Sequence, residues 1–367
     1  MFKPAVILIG AALFAAGCAS TPTEPAPEEI ISLPQVTANG PASLDWKDTN
    51  FVVSLPAPHP SQPAARPAPR PRPAAPMTIW TSLNRWAAEN NISKPSLLSR
   101  APTASYAVKS ANGTLVLDIG SREASWKGTA IHLGFAPEFI DDQVFVHGLD
   151  LQKNIEPLLS EPPVTFQHRV VVIDPGHGGK EFGARSIFNN HYEKEFTLDW
   201  ALRIVPLLTA NGWQVFLTRT GDTDVALSNR VAIAESHHAD LFISLHFNSA
   251  APDEKAAGVE TYCLTPPGMP STLTRGYPDI LTQSYPNNAY NDESLGVAVR
   301  LQTALAHGAG LEDRGVCRAR FIGVLRGQNR PAVLIEGGYL SNIREARQIE
   351  KSEFRQKLAQ AVADALR

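Results

Sequence analysis

Four residues of this 367-residue chain have the type and placement that catalysis asks for. His177 follows four apolar β-formers, an acid, a proline and a glycine in "VVVIDPGHGG". His246 closes the strand-like run of "LFISLHFNS", and Glu336 ends "PAVLIE" just before two glycines. Glu193 stands in "HYEKEF", where a helical pattern begins. In an open α/β sheet, ligands bind beyond the carboxyl ends of the strands. Three of the four groups are strand-end residues from separate strands, and the fourth is at a helix entrance on the same edge. Two histidines and a carboxylate form a donor set for catalytic zinc that leaves one position for water. A further carboxylate can take that water's proton. The glycines of "GHGG" free the backbone to turn the imidazole over the sheet edge. Asp174 either orients His177 from behind or caps the turn.

Taken singly, each residue has a plainer reading. A lone histidine after a strand is more often structural, and an acid at a helix start favours the helix dipole. Glu336 resists that reading, because an acid ending an apolar strand is costly unless something uses it. His132 and His147 read as strand residues, His237 and His238 as an exposed helix end, and His191 as a surface loop residue or a substrate contact. Within "EKE", Glu193 and Glu195 point about 200° apart on a helix, so only one can serve. The stripe Leu198, Ala201, Leu202 and Val205, run backwards, passes nearer Glu195. Yet Glu195 suits a first helical turn, and Glu193 would then lie on the incoming loop.

The elements that must position these groups alternate. Strand "RVVVID" leads to helix "EFTLDWALRIVPLLTANG", strand "QVFLTR", helix "ALSNRVAIAESHHA", and strands "DLFISLHFN" and "GVETYCL". After a Pro- and Tyr-rich insertion come helix "ESLGVAVRLQTALAHGAG", strands near "ARFIGVLR" and "PAVLIEGG", and helix "EARQIEKSEFRQKLAQAVADAL". This predicts an α/β fold over residues 166–367, a mostly parallel twisted sheet with helices on both faces. Residues 79–160 read as a small α+β domain: a helical run, short strands broken by "NG", "GS" and "KG", then a helix. That stretch resembles the small stalk domain found beside wall-active enzymes and named after the amine oxidase N-terminus.

Residues 1–17 read as an export signal, since the apolar run from Ala5 to Gly17 is too short for a membrane span. "AAGC" resembles the bacterial lipoprotein processing site, with Cys18 as the lipidated residue. Ala19 is not the aspartate associated with inner-membrane retention, so the expectation is a periplasmic protein anchored to the outer membrane. Residues 18–78 are expected as the lipid anchor and a disordered linker rich in Pro and Ala. Hydrophobic residues make up 43% of the chain, enough for a sizeable core. A net charge of -3 excludes the basic footprint of a nucleic-acid binder. No CxxC spacing occurs; Cys263 and Cys317 are expected as two buried free thiols, with pairing the other option.

Six stretches, "VVVIDPGHGG", "EKEFTL", "LTRTGDTDVALSNRVAIA", "ADLFISLHFNSA", "GVETY" and "PAVLIEGGYLSN", occur in order from residue 168 to the C-terminus. Together they resemble the zinc-dependent N-acetylmuramoyl-L-alanine amidases of the third amidase family. The resemblance implies zinc held by His177, Glu193 and His246, with Glu336 as catalytic acid/base. It implies cleavage, in peptidoglycan, of the amide between the lactyl group of N-acetylmuramic acid and L-alanine. Two departures stand out. Arg330 precedes Pro331 where the family often has an apolar residue, and residues 265–294 are longer than in the shortest members. Their proline and tyrosine content argues against an autoinhibitory helix and for a lip on the substrate cleft, and no activator is named by the sequence. A zinc carboxypeptidase or deacetylase acting on the wall, and a non-catalytic wall-binding lipoprotein, are the rival readings.

Overall fold

A computed structural model of the chain describes residues 79–160, 164–274 and 279–367, all within one compact unit. The expected linker, signal and Cys18 lie outside these residues. The first part holds strands β1 (Trp80–Ser82), β2 (Ser96–Ser99), β3 (Ser105–Ser110), β4 (Gly113–Asp118), β5 (Glu123–Trp126), β6 (Thr129–His132), β7 (Glu138–Ile140) and β8 (Gln143–His147). Helix α1 (Leu83–Glu89) follows β1, and α2 (Gly148–Asp150) and α3 (Glu156–Ser160) flank a π-turn at Leu151–Ile155. The second part runs β9 (Val170–Pro175), α4 (Glu193–Ala210), β10 (Gln214–Leu217), α5 (Leu227–Ser236), β11 (Leu241–Asn248) and β12 (Val259–Cys263). It continues with α6 (Asn291–Ala309), β13 (Asp313–Arg318), α7 (Gly323–Arg326), β14 (Ala332–Tyr339), α8 (Ile343–Ile349) and α9 (Ser352–Ala365).

The α/β expectation holds. Strands β10, β9, β11 and β14 are mutually parallel neighbours, with β12 antiparallel to β14 and β13 parallel to β12. The central strands are buried on both faces, as a continuous "VVVI" or "LFISL" run requires. Helices α4, α6 and α9 seal a larger core on one face, where Trp200, Ile204, Leu305 and Leu358 are inaccessible. Helices α5 and α7 cover a smaller core on the other face, built on Val172, Phe242, Leu325 and Leu334. Arg330, the departure from apolar, is buried and donates to the carbonyls of Ala234 and Ala239 at the end of α5. A cation suits a helix C-terminus.

Several sequence expectations are corrected. "ARFIGVLR" is not a strand: the strand is Asp313–Arg318, and Gly323–Arg326 is helical. Alone, the apolar residues of that run cannot distinguish a strand from a short buried helix. The last expected helix is two, α8 and α9, separated at Glu350–Lys351. The insertion's described residues form no lip on the cleft. Because β12 runs antiparallel to β14, with Glu260 opposite Glu336, its C-terminal end lies at the sheet edge away from Glu336. There the insertion's described residues pack on Arg318 and Arg320, with Thr272 N–H donating to Arg318 O at 2.7 Å and Arg320 Nη2 to Met269 O at 2.8 Å.

The first part adds strands to the same sheet. Parallel pairing of β6 with β13 at Ile131 and Val316 continues it into the antiparallel run β6, β5, β4, β3 and β2. The seam is polar as well as apolar. Arg318, 2% exposed, donates to Lys153 O and Asn154 Oδ1, and Arg122 donates to the carbonyls of Pro270 and Ser271.

Candidate active site

His177 sits just past β9 with a left-handed backbone, φ 62°. That conformation costs a non-glycine residue about 1–3 kcal/mol unless its surroundings impose it. Two buried arginines impose it. Arg230 donates to the carbonyls of Pro175 and His177 at 2.9 and 2.8 Å, and Arg219 to those of Pro175 and Gly176 at 3.0 and 2.9 Å. Burial first, then neighbouring Arg230, brings the Arg219 guanidinium down to about 10. Asp174 turns out to serve this clamp instead of the imidazole. Its carboxylate accepts from Arg230, Thr218 Oγ1 and Ser244 Oγ. Gly176 is glycine for space, since a Cβ there would overlap the His246 ring.

Glu193 is the first residue of α4. Its Oε2 lies 3.1 Å from His177 Nε2 and its Oε1 2.9 Å from His246 Nδ1. The backbone N–H groups of Ala184 and Phe247 also donate to this carboxylate. Burial works to raise its pKa, but the two imidazoles overcome this and hold it far below the carboxylate range. Burial likewise disfavours a charged His177, and Glu193 outweighs it, raising the imidazole. Ligand atoms of His177, Glu193 and His246 all lie within 4.8 Å of one another. Both histidine side chains are about one-fifth exposed, at 22% and 18%, so the cluster is open to solvent on one side. Glu195 points outward and accepts from Tyr192 N–H at 3.1 Å. The helix phase differs from the expected one: the buried stripe is Glu193, Thr197, Trp200, Ile204 and Leu208, while Leu198, Leu202 and Val205 are half-buried. Periodicity thus passes through Glu193 after all.

Glu336 lies beside this cluster, its residue in register with His246 on β11. Its Oε2 is buried and has no hydrogen-bond partner among the described residues. Burial, then the charges of Glu193 and Glu260, raises its pKa well above the ordinary value. On its other side Glu260 of β12 is in register with it. Glu260 is 5% exposed and accepts from Arg314 Nε, Tyr262 OH, Tyr339 OH and Asn248 Nδ2 at 2.7 to 3.1 Å. Sequence reasoning passed over Glu260. The signal was there: like Glu336, it is an acid inside an apolar strand, "GVETYC".

A profile of the N-acetylmuramoyl-L-alanine amidases matches residues 171–367, just over half of the chain. The chain belongs to this amidase family. It is 32% identical over 221 residues to the amidase AmiA of Escherichia coli, covering 54% of this chain and 75% of that one. It is 34% identical over 194 residues to the amidase LytC of Bacillus subtilis, covering 53% of this chain and 34% of LytC. The catalytic domain of the amidase CwlV from Bacillus (Paenibacillus) polymyxa var. colistinus superposes with a TM-score of 0.45 at 35% identity, over 54% of this chain and 96% of that chain. The chain thus spans about a third of the length of one of these curated relatives and three quarters of the other.

Among the described residues, the remaining histidines are not brought to the cluster. His191 pairs with Glu350 at 3.0 Å and packs edge-on to Phe196. His237 is not simply exposed: it stacks on Phe216 with ring centroids 3.7 Å apart, while His238 faces solvent. His132 lies on β6 and His147 ends β8, where its Nδ1 accepts from Leu149 N–H. Cys263 and Cys317 are free and buried. They occupy neighbouring strands one register step apart, so their thiols enter opposite cores.

Proposed function

We propose that this protein is a zinc-dependent peptidoglycan hydrolase that cleaves the amide between N-acetylmuramic acid and the L-alanine of the stem peptide. The carrying observation is an unpartnered buried carboxyl oxygen, Glu336 Oε2, next to a solvent-open cluster of two imidazoles and a carboxylate. The donor set fits zinc, which takes nitrogen and oxygen ligands and in catalytic sites keeps one position for water. His177, Glu193 and His246 would hold the ion, which when bound supplies a polarised carbonyl and an acidified water. Glu336 takes the proton of the attacking water and delivers it to the leaving alanine nitrogen. Its apolar position and nearby Glu193 and Glu260 favour the protonated form needed for that delivery. Arg219 and Arg230 hold the His177 turn in place. Glu260, in register with Glu336, has its carboxylate occupied by four donors.

The test is mass analysis of the fragments released from purified sacculi, with and without chelator. A free lactyl carboxylate and a new N-terminal alanine, lost on chelation, are expected. Loss of only a C-terminal residue would mean a carboxypeptidase; release of acetate, a deacetylase; binding without fragments, a wall-binding protein. Residues 1–17 and Cys18 lie outside the described residues, and the reading of the protein as a periplasmic lipoprotein on the outer membrane rests on "AAGC" and Ala19. The intact mass of protein extracted from membranes checks it: acyl chains on Cys18 are expected, absent from Cys18→Ser.

A further inference from the structure

Across the site edge, side chains on one face of the sheet form a row: His246 on β11, Glu336 on β14, Glu260 on β12 and Arg314 on β13. This is the face of the smaller core, and it opens towards the row. Along β14, Ala332 and Leu334 are buried and Glu336 is less completely so, although its Oε2 is covered. On the flanking strands, buried Tyr262 and Cys317 give way to half-exposed Arg314. The face opens at Arg314, whose side chain is 36% exposed.

Resting on the amidase reading, we propose that Arg314 receives a carboxylate of the stem peptide and makes the enzyme selective for an acidic stem over its amidated form. The guanidinium is held ready. Its Nε donates to Glu260 Oε1 at 2.7 Å, its Cζ lies 5.3 Å from the Tyr339 ring centroid, and its methylenes run past Gly258, where a Cβ would come within 3.0 Å. Among the described residues none accepts from its two terminal nitrogens, which leaves a fork for a carboxylate. Glu260 does not require all of this cation, because two phenols and an amide also donate to it. The spacing fits. Strands lie about 4.8 Å apart, so Arg314 is about 10 Å across the sheet from Glu336. With the scissile carbonyl at the metal cluster, the residue after L-alanine lies about 7 Å further along an extended peptide. In peptidoglycan that residue is a γ-linked D-glutamate with a free or amidated α-carboxyl group. An arginine reaching back towards Glu260 meets it there.

The test compares kcat/KM of the purified zinc enzyme on two synthetic substrates, N-acetylmuramoyl-L-alanyl-D-glutamate and the matching D-isoglutamine. The wild type is expected to prefer the acid by about tenfold or more, as a charge-assisted fork does. Arg314→Gln should bring the ratio close to one, mainly through a higher KM for the acid, and Arg314→Lys should give an intermediate ratio. Equal wild-type kcat/KM on both substrates overturns the proposal, whether or not the variants fold. A variant that loses kcat equally on both while keeping the ratio overturns it too, and makes Arg314 a prop for Glu260. Cleavage of neither substrate by a wild type that digests sacculi at another bond overturns the amidase reading instead.

Discussion

Glu193 holds both imidazoles because it begins a helix whose buried stripe points it at the sheet edge. The positive end of that helix favours its charge. Glu336 differs by having burial without partners. The two acids should therefore fail differently. Glu193→Ala is expected to lose bound zinc and activity together, while Glu195→Ala keeps zinc, because its side chain only caps Tyr192 N–H. Glu336→Gln should keep close to one zinc per chain and lose on the order of 10²-fold or more in rate. Metal content and turnover on the three purified proteins read this directly. Zinc lost from the Glu195 variant alone would reverse the ligand assignment, and an active Glu336→Gln enzyme would remove Glu336 from the chemistry.

At the scale of elements, α4 carries Glu193 and must be held against α9. Asp199 of α4 does part of this. It accepts from Arg203 Nε at 2.7 Å on its own helix and from Arg355 of α9. Burial pushes its pKa up, but the hydrogen bond from Arg203 and the charge of Arg355 outweigh burial and leave it below the ordinary value. A carboxyl group whose pKa is lower in the folded than in the unfolded state stabilises the fold above the unfolded value, about 3.9, and loses that contribution as pH falls through the folded value. Asp199→Asn should therefore cost about 1–3 kcal/mol at pH 7, typical of hydrogen bonds to a charged group. Urea unfolding at pH 7 and pH 3 should show the gap between variant and wild type narrowing at the lower pH. An equal gap at both would mean that the ion pairs contribute nothing.

At the scale of the whole molecule, the amidase sheet does not end at β13. Strands β6 to β2 extend it, and residues of both parts, Leu117, Ile131, Val297 and Val316 among them, belong to one apolar cluster. Thr129 Oγ1 and Thr303 Oγ1 lie 2.5 Å apart across that seam. Removing residues 79–160 would bare the β13 edge and uncover apolar surface. An exposed edge is a template for pairing with other chains. The truncated protein is expected to melt at lower temperature than the full chain and to self-associate, as scanning calorimetry and sedimentation would show. An unchanged melting temperature in a monomeric fragment would mean that the shared sheet adds no stability.

The sequence by itself determined the α/β fold of the second part, the strand ends and the four chemical groups. Those are local matters: apolar runs specify buried strands, and His177 lies two residues past β9 while His246 and Glu336 stand just beyond the apolar runs of β11 and β14. Cys263 and Cys317 were also legible as buried free thiols. Tertiary structure decided what depends on partners far along the chain. Asp174 finds its use in Arg230, 56 residues on. Glu260 matters because antiparallel pairing sets it against Glu336, and the same pairing sends the insertion to the edge away from the metal cluster. Helix phase was misread because Thr197, which an apolar count passes over, faces the core with Trp200 while Leu198 and Leu202 face partly outward. Pairing of Ile131 with Val316 joined two stretches that composition alone had set apart, since a strand's sequence records which faces it buries but not which strand lies beside it.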